Sequence, residues 1–195
     1  MHPELFLLIG ISFSLGFTPG PNNAVASFSG FNFGIKKTIP LILGVGFGYT
    51  ILVILINFLL ISTFIKYPII QEIIRILGTF FLIYLAYKIS FSVNASNEKK
   101  INPVKFIDTF LFQFINPKGV MAAITLISNF VRNENYLSSS ITVIFVCSFT
   151  AFLSITSWTF FGKFLRKFAT NNNFIKQFNY AMSLLLVVCI IGFYI

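Results

Sequence analysis

The chain has 195 residues, 56% hydrophobic and only 10% charged, with mean hydropathy +0.88. No soluble domain can bury that much apolar surface, so the long apolar runs read as membrane spans of one all-α transmembrane domain over 1–195. The net charge of +9 comes from 14 Lys and Arg residues scattered between those runs; with no dense basic patch, it points to the cytoplasmic connections of a membrane protein and excludes nucleic acid as a partner.

Six apolar segments are expected, near 4–29, 38–64, 68–90, 107–131, 138–162 and 174–195, each with about the 20 residues a bilayer core requires. Only His2, Pro3 and Glu4 separate Met1 from the first segment, with no basic n-region and no cleavage site, so a retained helix is expected instead of a removed signal peptide. That segment is broken by Thr18-Pro19-Gly20-Pro21-Asn22-Asn23. Pro19 and Pro21 have no amide proton, which leaves the carbonyls of Leu15 and Phe17 without helical partners and pushes Thr18 and Gly20 out of helical geometry. Lipid offers no water to satisfy such groups. Broken backbone at this depth should line a cavity or a protein contact.

The second segment follows Lys36 and Lys37 and contains Gly44-Val45-Gly46-Phe47-Gly48. With no strand before it, this run is not a nucleotide fingerprint; Gly44/Gly48, like Gly16/Gly20 and Gly30/Gly34, are pairs that let helices approach closely. The third segment carries Glu72 and Arg75 at i and i+3, expected to pair near the outer helix end. A polar connection, 91–106, joins the two halves, 1–90 and 107–195.

The fourth segment is interrupted by Asn116-Pro117-Lys118-Gly119, which frees the carbonyl of Gln113. Asn-Pro is also how a helix begins, so Asn116 can act as N-cap with Pro117 at the first position of a second half-helix. In the fifth segment Cys147, Thr150, Ser154 and Ser157 recur at i, i+3, i+7 and i+10. This small polar stripe favours helix packing over pathway lining. Cys147 and Cys189 read as free thiols in apolar surroundings.

Basic residues orient the chain. The first, third and fifth connections carry ten (Lys36, Lys37, Lys88, Lys99, Lys100, Lys105, Lys163, Arg166, Lys167, Lys176), against Lys66 and Arg132 in the second and fourth. The odd connections are therefore expected in the cytoplasm and both termini outside. Three spans per half makes the first helix run inward and the fourth outward, an inverted-topology repeat with matched interruptions, and such a pair points to a transporter's substrate site.

The candidate substrate-binding residues are Thr18, Pro19, Gly20, Pro21, Asn22, Asn23, Asn116, Pro117 and Lys118. A half-helix N-terminus presents free amide protons and partial positive charge, which suits a carboxylate. Lys118 adds a full charge there, where a lysine costs about 2.5–3.5 kcal/mol on insertion scales; its alternatives are to snorkel or to pair with a carbonyl. The asparagines can hold an amine, so a zwitterion suits this lining. None of the acids (Glu4, Glu72, Glu98, Asp108, Glu134) sits clearly at midplane, and His2 is terminal. Hence no catalytic metal cluster, catalytic constellation, cofactor or Walker motif is expected, and the chain does not read as an enzyme.

These residues carry a resemblance to the LysE/RhtB family of bacterial amino-acid exporters: Thr18-Pro19-Gly20-Pro21-Asn22-Asn23, then Gly34 with Lys36-Lys37, Leu43 to Gly48, Arg75-Ile76-Leu77-Gly78, Tyr84 to Lys88, Asn116-Pro117-Lys118, and Gly162-Lys163. The match covers nearly the whole chain. It implies a multi-pass exporter of amino acids or related small metabolites in the bacterial cytoplasmic membrane, driven by a proton or sodium gradient. A homo-oligomer is compatible with it. Counting back from Gly162, Thr150 stands where family members often carry an aspartate, so any coupling through that acid must run differently here. Ala86 replaces a frequent glycine. Two other readings are a cation or metal-ion exporter, which would want carboxylates, thiols or imidazoles at the broken helices, and a non-transporting membrane scaffold.

Overall fold

The computed structural model describes residues 3–90 and 102–194. Residues 91–101, most of the expected connection between the halves, lie outside the described residues. Among those described, the regular elements are all helical: α1 (Pro3–Phe17), α2 (Pro21–Leu55), a π-helical turn (Ile56–Leu60), α3 (Ile61–Lys66), α4 (Ile69–Ser90), α5 (Phe106–Ile115), α6 (Pro117–Phe130), a 3-10 turn (Asn133–Asn135), α7 (Tyr136–Arg166) and α8 (Asn172–Ile191). Four stretches are long and apolar enough to cross a bilayer: Pro21–Leu59, Ile69–Ser90, Asn133–Arg166 and Asn172–Ile191. The pair α5 and α6, bent by 60°, makes a fifth if it is one span, and α1 is apolar but shorter.

The division of the first two segments differs from the sequence expectation. The chain breaks after Phe17, and α2 then runs through the expected connection around Lys36 and Lys37. It is interrupted there by Gly34, at φ 75° and ψ 174°. A side chain would make that backbone costly, and Gly34 alone has positive φ among the described glycines. At about 1.5 Å per residue, the 39 residues of Pro21–Leu59 would measure about 58 Å without that break, roughly twice a bilayer core.

Helices α2 and α7 form the central pair. The α-carbons of Gly30 and Gly162 let the two backbones touch: a Cβ on Gly30 would meet the Thr159 carbonyl, and one on Gly162 the Ser27 carbonyl. Ser27 Oγ donates to the Trp158 carbonyl at 3.0 Å, and Thr50 Oγ1 to Ser148 Oγ at 2.9 Å. Helix α5 packs on α2 at Gly44 and Gly48. Helix α8 docks on α4, where Ser90 Oγ donates to Ser183 Oγ at 2.7 Å.

Two apolar clusters flank the middle of the bundle. One gathers Ala24, Phe28, Leu41, Val45, Leu82, Phe112, Ile155 and Leu186; the other gathers Leu8, Val53, Ile56, Val120, Ala123, Leu126 and Val143. Polarity is otherwise inverted: Asn23, Ser27, Gln113, Asn116, Thr150 and Ser154 are buried while Phe6, Phe80, Phe145 and Phe149 point outward. An exposed apolar belt around a polar interior is what a lipid solvent selects.

The expected pairing of Glu72 with Arg75 does not form. Arg75 instead lies over the ring of Tyr194, 5.6 Å from its centroid, because the chain's C-terminal end is brought beside α4. Among the described residues the ion pair is Arg132 with Glu4, which ties the end of α6 to the start of α1.

Candidate functional site

Both proline motifs break the helix as their chemistry requires. Thr18, Pro19 and Gly20 separate α1 from α2, with Gly20 extended (φ −167°, ψ 175°) as N-cap and Pro21 at the first helical position. Asn116 (φ −86°, ψ 102°) caps α6, with Pro117 first. Three carbonyls at the breaks find other donors. Leu15 O accepts from Thr18 Oγ1 at 3.0 Å and Gln113 O from the Asn116 amide at 3.4 Å. Gly16 O accepts from Asn23 Nδ2 at 2.9 Å and from Ser154 Oγ at 2.8 Å.

The two motifs meet. Lys118 Nζ donates to Thr18 O at 2.8 Å, Thr18 Oγ1 at 2.9 Å and Pro19 O at 3.2 Å. All three ammonium protons therefore have acceptors on the α1–α2 break, so the carbonyl-pairing alternative for this lysine is realised. The lysine lies across Gly20, where an added Cβ would come within 2.8 Å of Nζ. A cation at a helix N-terminus opposes the helix dipole, and the carbonyls of the other break supply the compensating negative ends.

Beside this junction is a cavity of about 80 Å³, several times the roughly 10–15 Å³ one water needs. Gly20, Pro21, Asn22, Asn23, Asn116 and Lys118 line it. Thr18 and Pro19 border it through the lysine. Pro117 does not join them, because its ring packs on Gly78 of α4.

The asparagines differ in what they can offer. Asn22 and Gln113 exchange a reciprocal pair of amide bonds at 2.8 and 3.2 Å. Asn23 gives its amide protons to Gly16 O and Thr18 O, both at 2.9 Å. Asn116, by contrast, is 3% exposed and its Oδ1 has no partner. Neither α2 nor α6 has a side-chain cap, so their first amides also lack the usual acceptor.

Several lining residues carried no sequence signal of a site. Tyr49 and Ser12 are isolated polar groups in apolar helices. Cys147, Thr150 and Ser154 line the cavity from α7, while Ser157 bonds back to Leu153 O at 2.8 Å. The stripe on α7 thus serves both of its readings: Thr150 packs its methyl on Gly16 while facing the cavity. Their spacing was visible in the sequence, but packing and lining share one periodicity.

Residues 13–195 match the family described as LysE type translocator. The chain is 29% identical over 174 residues to a cysteine/O-acetylserine efflux protein of Salmonella typhimurium, an alignment covering 88% of each chain. It is 25% identical over 173 residues to a protein of the same description from Escherichia coli K12, again over 88% of each. No solved structure matches.

Proposed function

The chain belongs to the LysE type translocator family, and from that premise we propose that it exports amino acids or closely related small metabolites across the bacterial cytoplasmic membrane by alternating access. The observation that carries this reading is the meeting of two broken helices, through Lys118, beside a cavity that residues of both motifs line. On this reading the chain is one transporter domain of six spans, the Gly34 break separating the first from the second, with the halves inverted about the two interruptions. Both termini then lie outside the cytoplasm.

The substrate carboxylate sits against the first amides of α2 and α6 and draws the Lys118 ammonium toward it. Asn116 Oδ1, an acceptor only, takes a proton of the substrate ammonium. Asn22 and Asn23 hold the walls, since their amides are committed to Gln113 and to the carbonyls of Gly16 and Thr18. Moving Lys118 from the Thr18 and Pro19 carbonyls to a carboxylate loosens α1 from α6, which couples occupancy to a change in access. An ion gradient supplies the driving force. The names of the relatives make cysteine and O-acetylserine the first substrates to test.

The alternatives have less support. A metal-ion exporter needs soft or anionic ligands, and among the described residues no three His, Cys, Asp or Glu side chains come together. A scaffold gains nothing from a polar cavity with unsatisfied buried groups, each costing about 1–3 kcal/mol. Efflux of labelled amino acids from preloaded cells, wild type beside Lys118→Met, tests the proposal.

A further inference from the structure

A second, smaller cavity lies beside the first. It measures about 10 Å³, room for one water at most, and apart from Asn22 and Thr109 its lining is apolar. Asn22 and Val45 line both cavities, so they stand in the wall between them. Three stretches of chain run past that wall in one order. At the start of α2, Gly20 lines the main cavity, Asn22 both, and Val25 the lesser. Further along α2, Tyr49, Val45 and Leu41 repeat that order on one helix face, four residues apart. Across from them Asn116 lines the main cavity and Thr109 the lesser, with Gln113 between the two in sequence. The lesser cavity lies toward the basic ends of these helices: Leu41 is one turn past Lys37, and Thr109 one turn past Lys105.

At the level of the wall, Asn22 and Gln113 close the gap between α2 and α5. Asn22 Nδ2 donates to Gln113 Oε1 at 2.8 Å, and Gln113 Nε2 donates to Asn22 Oδ1 at 3.2 Å. Gln113 is fully buried, and its Nε2 also donates to Thr109 O at 2.7 Å within α5. Its stem presses on Gly48, where an added Cβ would come within 2.9 Å of Gln113 Cγ. The pair is neutral, so burying it carries none of the desolvation cost of an ion pair. Water that enters can replace its two bonds one for one, which makes it firm when dry and easily parted when wet.

We infer that the Asn22–Gln113 pair is the cytoplasmic gate of the main cavity, shut in this structure, and that the lesser cavity is the closed inner end of the path. This rests on the reading of the main cavity as a transport site with Lys37 and Lys105 in the cytoplasm. A hinge lies next to the gate. Asn116 ends α5 three residues after Gln113, and there the axis bends by 60° into α6. Pro117 has no amide proton to tie the two helices together. Turning α5 about Asn116 carries Gln113 away from Asn22 and widens the lesser cavity along Thr109 and Phe112, while α6 keeps Lys118 at the main one.

Access from each face tests this. Ala122→Cys places a reporter thiol at a half-buried position of the main cavity, in a full chain that also carries Cys147→Ala and Cys189→Ala. A membrane-impermeant anionic methanethiosulfonate is applied to inside-out and to right-side-out vesicles. Gln113→Ala and Asn22→Ala break the pair from opposite sides, so either one suffices if the other fails to reach the membrane. Each is expected to raise labelling from the cytoplasmic face about fivefold or more and to leave the rate from the outer face no higher. A pair that only holds the fold together would, when broken, speed labelling from both faces or from neither. Either result, or a rise confined to the outer face, overturns the inference while leaving the transport site standing. No labelling from either face, in the reporter chain and in both variants, removes the cavity as a transport path, and the inference with it.

Discussion

Lys118 Nζ and the carbonyl oxygen of Thr18 lie 2.8 Å apart, across a hundred residues of sequence. The contact joins the positive end of one half-helix to the carbonyl end of another. Neither motif explains itself alone: the lysine is costly without acceptors, and the carbonyls are costly without a donor. Together they form a polar junction beside a cavity.

Gly20 leaves room for that junction, because the lysine passes over it. Its backbone is extended, a geometry any residue adopts, so Gly20→Ala adds only a methyl in the lysine's path. Transport should fall at least fivefold with little change in melting temperature, a loss of about 1 kcal/mol in the alignment of Lys118. Initial efflux rates normalised to protein in the membrane, read beside a thermal-shift curve, check both halves.

The asparagines should separate by experiment. Replacing Asn22 by Ala leaves Gln113, fully buried, without its amide partner, which costs about 1–3 kcal/mol of stability. Asn116→Ala removes an Oδ1 that has no partner in the fold, so stability should hold while substrate affinity drops. Melting curves and binding isotherms on both variants suffice. Equal destabilisation by the two would contradict the division of roles.

Helix contact between α2 and α7 predicts a sharp positional effect. Gly162→Ala pushes a methyl into the Ser27 carbonyl and should cost about 1–3 kcal/mol. Gly10→Ala meets nothing within 4 Å and should be neutral or slightly stabilising. Thermal unfolding in one detergent compares them directly.

Gly34 gives the six-span reading a test of its own. If the break separates two spans, a reporter fused after Lys37 lies in the cytoplasm and one fused after Lys66 lies outside. Alkaline phosphatase, active only outside, should be silent at the first position and active at the second. Activity on the same side for both would sink the inversion.

Much of this was legible because proline leaves an explicit mark. Pro19, Pro21 and Pro117 each delete a known hydrogen bond, and both breaks lie where those deletions place them. That Lys118 would need a partner was equally plain, and the matched interruptions set it facing the Thr18 segment; that it would bond the Thr18 and Pro19 carbonyls was not legible, because a local motif carries no distances. Gln113 reads as an ordinary polar residue until the fold brings Asn22 against it. Arg75 shows the opposite failure: a good i, i+3 neighbour in Glu72 lost to Tyr194, which only tertiary structure delivers. Gly34 was noticed for its spacing, whereas its importance lies in a backbone angle that spacing cannot report.

The central claim is that Lys118 belongs to an amino-acid export site, and the most direct measurement is efflux from cells preloaded with labelled cysteine, O-acetylserine and serine. Wild type and Lys118→Met should be compared at equal abundance in the membrane. The account predicts selective export by wild type and at least a tenfold loss in the variant, a difference of about 1.4 kcal/mol or more. Export by Lys118→Met at the wild-type rate would contradict it.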